Sequence, residues 1–258
     1  MKICLTVNSS PWSRFKGGGQ IAVHHLATAL VKKGHDVLVL YSKCPDEVIN
    51  PSVNYRVHWV RHFNVATVNL NIFSFGWSLR RLARRERFDV IHGNAEEAFF
   101  NACVCRMTGA APFFTSHSPR IPSTGFTGAL LQPLDLLKNI NFFLLRSAAA
   151  GAEQIVTFSR FSKNLVVGGL GQPYADRVEV IAPGIDLTWF EVKRKPSANI
   201  DLIFWGRMED EKGIAELLRA FKNVLEKYPQ ARLHLVGEGN RLQDYKRMGV
   251  EWGIADRV

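Results

Sequence analysis

At 258 residues, 47% hydrophobic and 22% charged, the chain is long and apolar enough for one large or two modest packed domains, which excludes a disordered or fibrous protein. The formal net charge is +10 and all of the excess lies early: 23 Lys and Arg stand against 13 Asp and Glu in residues 1–200, and 10 against 10 in residues 201–258. No run of about 18 uncharged apolar residues occurs, so no transmembrane helix is expected, and Cys4, Cys44, Cys103 and Cys105 lack metal-ligand spacing and read as buried thiols of a reducing compartment.

Met1-Lys2 leads straight into an apolar strand over residues 3–8, with no leader expected. Gly17-Gly18-Gly19 follows. Apolar residues at helical spacing (Ile21, Leu26, Ala29, Leu30) then run to Gly34. Strands are expected over 37–41 and 55–60, and a very basic helix over 78–87. In this region Phe73, Phe75, Trp77 and Phe88 stand among Arg80, Arg81, Arg84, Arg85 and Arg87. Such a pattern fits a helix on an anionic membrane surface, or a solvated arginine face over a buried aromatic one. No RNA-recognition module of the usual types is seen, so nucleic acid is not an expected partner.

Val90-Ile91-His92 closes a short strand, and a helix is expected over 96–107. Glu96 and Glu97 read as exposed acids at its start. Strands follow over 112–116, 154–158 and 178–181, with Ser159 as a helix cap. Ala182-Pro183-Gly184 turns the chain, and residues 191–199 are polar with Pro196. A first domain over 1–184 and a linker over 185–199 are therefore expected before a second domain over 200–258. The second domain starts with a strand over 201–205. A helix over 213–228, a strand over 233–236 and a helix from Asn240 follow. Repeated βα units imply an α/β fold with parallel sheets covered on both faces.

Two connections carry chemistry. Gly17-Gly18-Gly19 lies after the first strand, at the end where doubly wound folds bind ligands, and its glycines let backbone N–H groups approach an oxyanion. Its spacing matches neither a dinucleotide fingerprint nor a P-loop, and a flexible loop is an equal reading. The second connection runs from Trp205 through Gly206, Arg207 and Lys212 to Gly213, ahead of an amphipathic helix. A helix N-terminus, a guanidinium fork and an ammonium suit a diphosphate.

Nine short segments stand in a recognisable order: Met1-Lys2-Ile3, Gly17-Gly18-Gly19, Gly34-His35-Asp36-Val37, Phe88-Asp89-Val90-Ile91-His92, Thr115-Ser116-His117, Ile155-Val156-Thr157-Phe158-Ser159, Val180-Ile181-Ala182-Pro183-Gly184-Ile185-Asp186, Gly206-Arg207 with Lys212-Gly213, and Leu235-Val236-Gly237-Glu238-Gly239. With them the chain resembles the family 4 glycosyltransferases of the GT-B fold along essentially its whole length. The resemblance implies two Rossmann-like domains facing a cleft, the first complete and the second present in its first part. It implies a retaining transferase, with no bound metal or cofactor. The substrates implied are a nucleotide-sugar donor and a saccharide or lipid-linked acceptor in cell-surface polysaccharide synthesis. A cytoplasmic location is expected, and the arginine-rich, aromatic-flanked pattern of 73–88, not the resemblance, allows peripheral contact at the inner membrane face.

By the same resemblance Arg207 and Lys212 hold the donor diphosphate, and Gly17, Gly18 and Gly19 approach it from across the cleft. His117 meets the donor sugar, which makes His117, Arg207 and Lys212 the catalytic set. Gly237 and Gly239 form a turn near the nucleoside, with Glu238 near the donor. From their place after a strand, at the cleft side, His92 and Asn94 read as acceptor-side residues or as a helix cap followed by exposed acids. Family members continue for about half a domain beyond Val258, through paired glutamates that bind the donor. The chain is therefore expected to be a fragment of reduced activity, or to fold poorly after about residue 200, its second sheet having one face and one edge open. Two other readings stay open: a non-catalytic module binding glycan or membrane, and a nucleotide-sugar epimerase on the same fold.

Overall fold

The computed structural model describes residues 1–13, 17–43, 52–61, 64–65, 68–69, 71–94, 96–117, 140–185, 187–193 and 199–258. Cys44, residues 118–139, Asp186 and Pro196 lie outside them. The chain divides into two compact units, Met1–Leu187 and Thr188–Val258.

In the first unit the strands are β1 (Lys2–Val7), β2 (Asp36–Lys43), β3 (Arg56–Arg61), a small antiparallel pair β4 (Asn64–Val65) and β5 (Val68–Asn69), then β6 (Val90–Gly93), β7 (Ala111–Ser116), β8 (Gln154–Thr157) and β9 (Val178–Val180). The helices are α1 (Gly18–Lys32), α2 (Asn71–Arg85), α3 (Asn101–Thr108), α4 (Ile140–Ala150) and α5 (Arg160–Leu170). Seven strands form a parallel sheet in the order β3-β2-β1-β6-β7-β8-β9. The order reverses at β1, so the ligand crevice of a doubly wound sheet is placed at the carboxyl ends of β1 and β6.

Alternation along each strand divides the core between two faces. Cys4, Leu38, Leu40 and Ile91 pack with Phe75 and Leu79 of α2 and Val104 and Cys105 of α3. Ile3, Leu5, Val7, Val37 and Val39 pack with Val23 and Ala27 of α1. Burial on both faces explains why β1 and β2 are almost continuously apolar.

Several local expectations change. Helix α2 starts at Asn71, not at 78. Ile72, Phe75, Leu79 and Ala83 form its buried stripe, and Gly76 sits mid-helix because a Cβ there would come within 2.6 Å of the Phe100 ring. The expected helix over 96–107 is a 3-10 turn at Glu96–Phe100 followed by α3, and Glu97 is buried, not exposed. Cys105 is buried but Cys103 is exposed, since residues two apart on a helix point to opposite sides. Ser159 does cap α5, its Oγ accepting from Ser162 N–H at 3.1 Å. Ser159→Ala is expected to cost about 1 kcal/mol, read as a lower urea midpoint with an unchanged m-value.

The second unit pairs β10 (Asp201–Trp205) with β11 (Arg232–Val236) in parallel, Asp201 opposite Arg232 and Trp205 opposite Val236. Helices α6 (Ile214–Lys227) and α7 (Leu242–Glu251) cover one face. Their shared core holds Met208, Ile214, Leu218, Phe221, Leu233 and Tyr245. On the other face Ile203 and Trp205 are exposed. Both units thus have the expected α/β class with parallel sheets.

Candidate functional site

At the carboxyl end of β6, Gly93 permits a close turn: a Cβ there would lie 2.2 Å from the Cβ of Ala98. Asn94, next in the chain, is buried. Its backbone N–H donates to Thr6 O at 3.0 Å and its side-chain amide donates to the same carbonyl at 3.2 Å. With the amide nitrogen so committed, Asn94 Oδ1 accepts from His117 Nε2 at 3.1 Å. This network assigns the His117 proton to Nε2 and leaves Nδ1 as a bare acceptor. Nδ1 is buried with no hydrogen bond. Gly19 lies over it, since a Cβ on Gly19 would stand 3.3 Å from Nδ1. Phe158 packs against the His117 ring in a T-shaped arrangement, 5.0 Å between ring centroids. His92 Nε2 shares a hydrogen bond with Thr115 Oγ1 at 2.7 Å.

Burial pushes His117 down to about 4, and burial with the neighbouring His117 does the same to His92. Both rings are neutral at pH 7. The unfolded chain takes up these protons near 6.5 and the folded chain only near 4, so the unfolded state binds more protons between the two. Stability is complete above that window and is lost as pH falls through it. After allowing for the partial exposure of both rings, the expected loss is about 2 kcal/mol for the pair. Urea titrations across the window measure it. A His117→Gln chain with an unchanged pH slope would overturn it.

The N-terminus of α1 enters the same neighbourhood. Gln20 Oε1 accepts from Gly17 N–H at 2.9 Å, and Gln20 Nε2 donates to Asn8 Oδ1 at 2.7 Å, tying the glycine loop to the end of β1. The first turn of α1 contains no acidic residue. Its first amides have no acceptor within the helix. Gly18 is exposed and has open space at its Cβ position. This end of the helix is electrostatically suited to an anion or a hydroxyl. An open cavity of about 620 Å³ runs along the flank of α1 from Ala22 to Lys32, and His92, Asn94, His117, Phe158 and Ile185 also line it.

In the second unit the connection from β10 to α6 is built against the one leaving β11. Gly206 N–H donates to Val236 O at 3.0 Å and Met208 N–H to Glu238 O at 2.9 Å. Gly237 has φ +152°, and a Cβ there would lie 1.8 Å from Gly206 O; one on Gly239 would lie 2.3 Å from Met208 O. Backbone meets backbone, which only glycine allows. Asn240 N–H donates to Glu209 Oε1 at 3.2 Å and Arg241 Nε to Asp210 Oδ1 at 2.9 Å. Arg207 is exposed and its Nη2 donates to Glu211 Oε1 at 2.5 Å. Lys212 is exposed, and the first turn of α6 carries Glu216.

Of the residues expected from the sequence, Gly19, His92, Asn94 and His117 come together in the first unit, with Gly17 and Gly18 beside them. Arg207, Lys212, Gly237, Glu238 and Gly239 share the two adjoining connections of the second. Asn94 has its polar atoms engaged inside the protein, so it orients His117. The sequence alone assigned no site role to Asn8, Gln20 or Thr115. Gln20 stands three positions after Gly17, the spacing of a capping box, which is the signal that marks it.

Residues 16–189 match the family model described as Glycosyltransferase Family 4, and residues 186–258 match Glycosyl transferases group 1. A glycogen synthase of Mycobacterium tuberculosis is 29% identical over 89% of this chain and 59% of its own length. An uncharacterized glycosyltransferase of Methanocaldococcus jannaschii is 30% identical over 100% of this chain and 68% of its own. Sucrose-phosphate synthase from Thermosynechococcus elongatus superposes with a TM-score of 0.72 at 17% identity, over 100% of this chain and 69% of that one, a likeness of fold. The chain therefore spans about six tenths to seven tenths of the length of these relatives.

Proposed function

The chain belongs to glycosyltransferase family 4, and from that premise we propose that it takes part in moving a sugar, with retention of anomeric configuration, from a nucleotide-sugar donor to a saccharide or lipid-linked acceptor in cell-surface polysaccharide synthesis. The observation that carries this reading is the β10–α6 connection, where Arg207 and Lys212 stand exposed just beyond the carboxyl end of a parallel strand. Transfer builds negative charge on the leaving diphosphate. A guanidinium fork and an ammonium stabilise that charge as it develops, without a metal ion.

In this proposal Arg207 and Lys212 hold the diphosphate, while Gly237, Glu238 and Gly239 set the connection that carries Arg207. In the first unit the open amides of Gly18 and Gly19 take an anionic or hydroxyl group of a substrate. His117, kept neutral and in one tautomer by Asn94, offers Nδ1 as an acceptor to a sugar hydroxyl once Gly19 moves aside. His92 contacts the acceptor. Positioning and electrostatics then supply most of the catalysis, and no strong nucleophile is required. The test is product analysis after incubation with labelled nucleotide sugars and a panel of saccharide and lipid-linked acceptors. Label on an acceptor supports the reading. Label returned as an altered nucleotide sugar without acceptor means an epimerase, and binding without turnover means a non-catalytic module.

A further inference from the structure

Helix α2 carries a surface to which the proposed sugar transfer assigns no residue. Its inner face is fixed: Ile72, Phe75, Leu79 and Ala83 are buried, and Phe75, Leu79 and Ala83 share a core with Val104 and Cys105 of α3. Its outer face bears Phe73, Trp77, Arg81 and Arg84, whose spacings of four, four and three place them in one stripe. Phe73 is 58% exposed and Trp77 65% exposed. Arg80, Arg81, Arg84 and Arg85 are all exposed, and among the described residues none of them is held in an ion pair. The next acid in the chain, Glu86, is committed to Arg56 and Lys2. The Arg81 guanidinium lies 5.6 Å from the Trp77 ring centroid. Helix α3 packs on the same core and turns Arg106 and Met107 outward.

The stripe is therefore polarised along the helix, aromatic at its N-terminal end and cationic at its C-terminal end, on a rigid element. At 15 residues the helix suits a position in the interface plane, and no described helix is long and apolar enough to cross a membrane. Arginine and aromatic side chains also occur on RNA-binding surfaces, but there aromatic rings interleave with cations to stack successive bases. Here both exposed rings lie at one end.

We propose that the outer face of α2 docks on an anionic lipid bilayer, with Phe73 and Trp77 entering the headgroup–acyl boundary and Arg80, Arg81, Arg84 and Arg85 meeting anionic headgroups. Both rings are already more than half exposed, Phe73 in contact with the Phe100 ring at 5.7 Å between centroids, so docking requires no unfolding. It also does not depend on the chain being an active transferase.

The test is co-sedimentation of the full chain with vesicles of phosphatidylcholine alone or mixed with phosphatidylglycerol. Binding is expected on the mixed vesicles only, and it weakens as salt is raised. Arg81→Ser with Arg84→Ser is expected to lower the partition coefficient about 25-fold, each arginine contributing about five-fold. Arg84→Lys leaves it nearly unchanged, since the membrane reads charge. Phe73→Ser with Trp77→Ser is expected to lower it at least about ten-fold while leaving the melting temperature unchanged. A blue shift of tryptophan emission on binding that is lost in Trp77→Phe supports the proposal even if the serine pair misfolds. Equal sedimentation with both vesicle types, or folded variants that bind like the parent, overturns it. So does an arginine-dependent affinity for single-stranded RNA without vesicle binding.

Discussion

Gly237→Ala is expected to unfold the second unit at denaturant concentrations where the parent remains folded, a loss of about 3 kcal/mol or more. Two independent costs add at this position. The backbone sits at φ +152°, which side chains other than glycine's rarely adopt, and the new Cβ would lie 1.8 Å from Gly206 O. The obstacle is main chain, so no rotamer change relieves it. One of the two connections must move, and Met208 N–H, held by Glu238 O at 2.9 Å, moves with it. Gly249, inside α7, supplies the contrast. A Cβ there meets only ordinary contacts, 3.8 Å from the Cα of Ala255 and 3.9 Å from its Cβ, so Gly249→Ala is expected to be neutral or to stabilise by up to about 1 kcal/mol. Amide hydrogen exchange resolved over residues 199–258 measures both. A Gly237→Ala chain protected like the parent would falsify the packing account.

Arg207→Ala is expected to weaken binding of a nucleoside diphosphate by about ten- to a hundred-fold, as loss of a charge-assisted, two-pronged contact does. Lys212→Ala is expected to cost less, since an ammonium acts as a point charge, and Arg207→Lys is expected to restore only part of the loss. Glu211 makes the experiment more discriminating. Its carboxylate accepts from Arg207 at 2.5 Å and competes with a phosphate for the same fork. Glu211→Gln removes that competitor and is expected to strengthen binding by a few-fold, the size of an exposed ion pair. Calorimetry with UDP, ADP and GDP on the four variants checks the order. If Arg207→Ala binds as tightly as the parent, or Glu211→Gln binds more weakly, the diphosphate assignment fails.

The alternating apolar segments made the strands and most helices legible, because a parallel sheet buried on both faces needs continuous apolar runs separated by amphipathic helices. The start of α2 was hidden. Glycine is a poor helix former, yet Gly76 lies inside α2 because of its approach to Phe100, far along the chain. The site divides the same way. The position of Gly17-Gly18-Gly19 after a strand was readable because the order of elements fixes where a connection falls, but the glycines read as a loop whereas Gly18 and Gly19 form the first residues of α1. The pairing of His117 with Asn94 was not, since it depends on β6 and β7 lying side by side with His92 opposite Phe113. Burial of Glu97 was also out of reach, as an acid two residues from a helix start normally faces water. Gly237 and Gly239 were visible as glycines, but that they press on Gly206 and Met208 follows only from the three-dimensional approach of the two connections.

That approach has a consequence for changing what the second unit binds. Residues 206–213 and 237–241 interlock through Met208, Glu238, Asn240 and Arg241, so neither has a shape of its own. Grafting the first stretch from a homologue, without the second, brings a foreign backbone against glycines fitted to the old one. The two stretches form a cassette: exchanged together they carry their mutual fit with them, and exchanged singly they lose it. Directed evolution of ligand preference here is expected to accept compensating pairs of changes across the two stretches more readily than insertions in either.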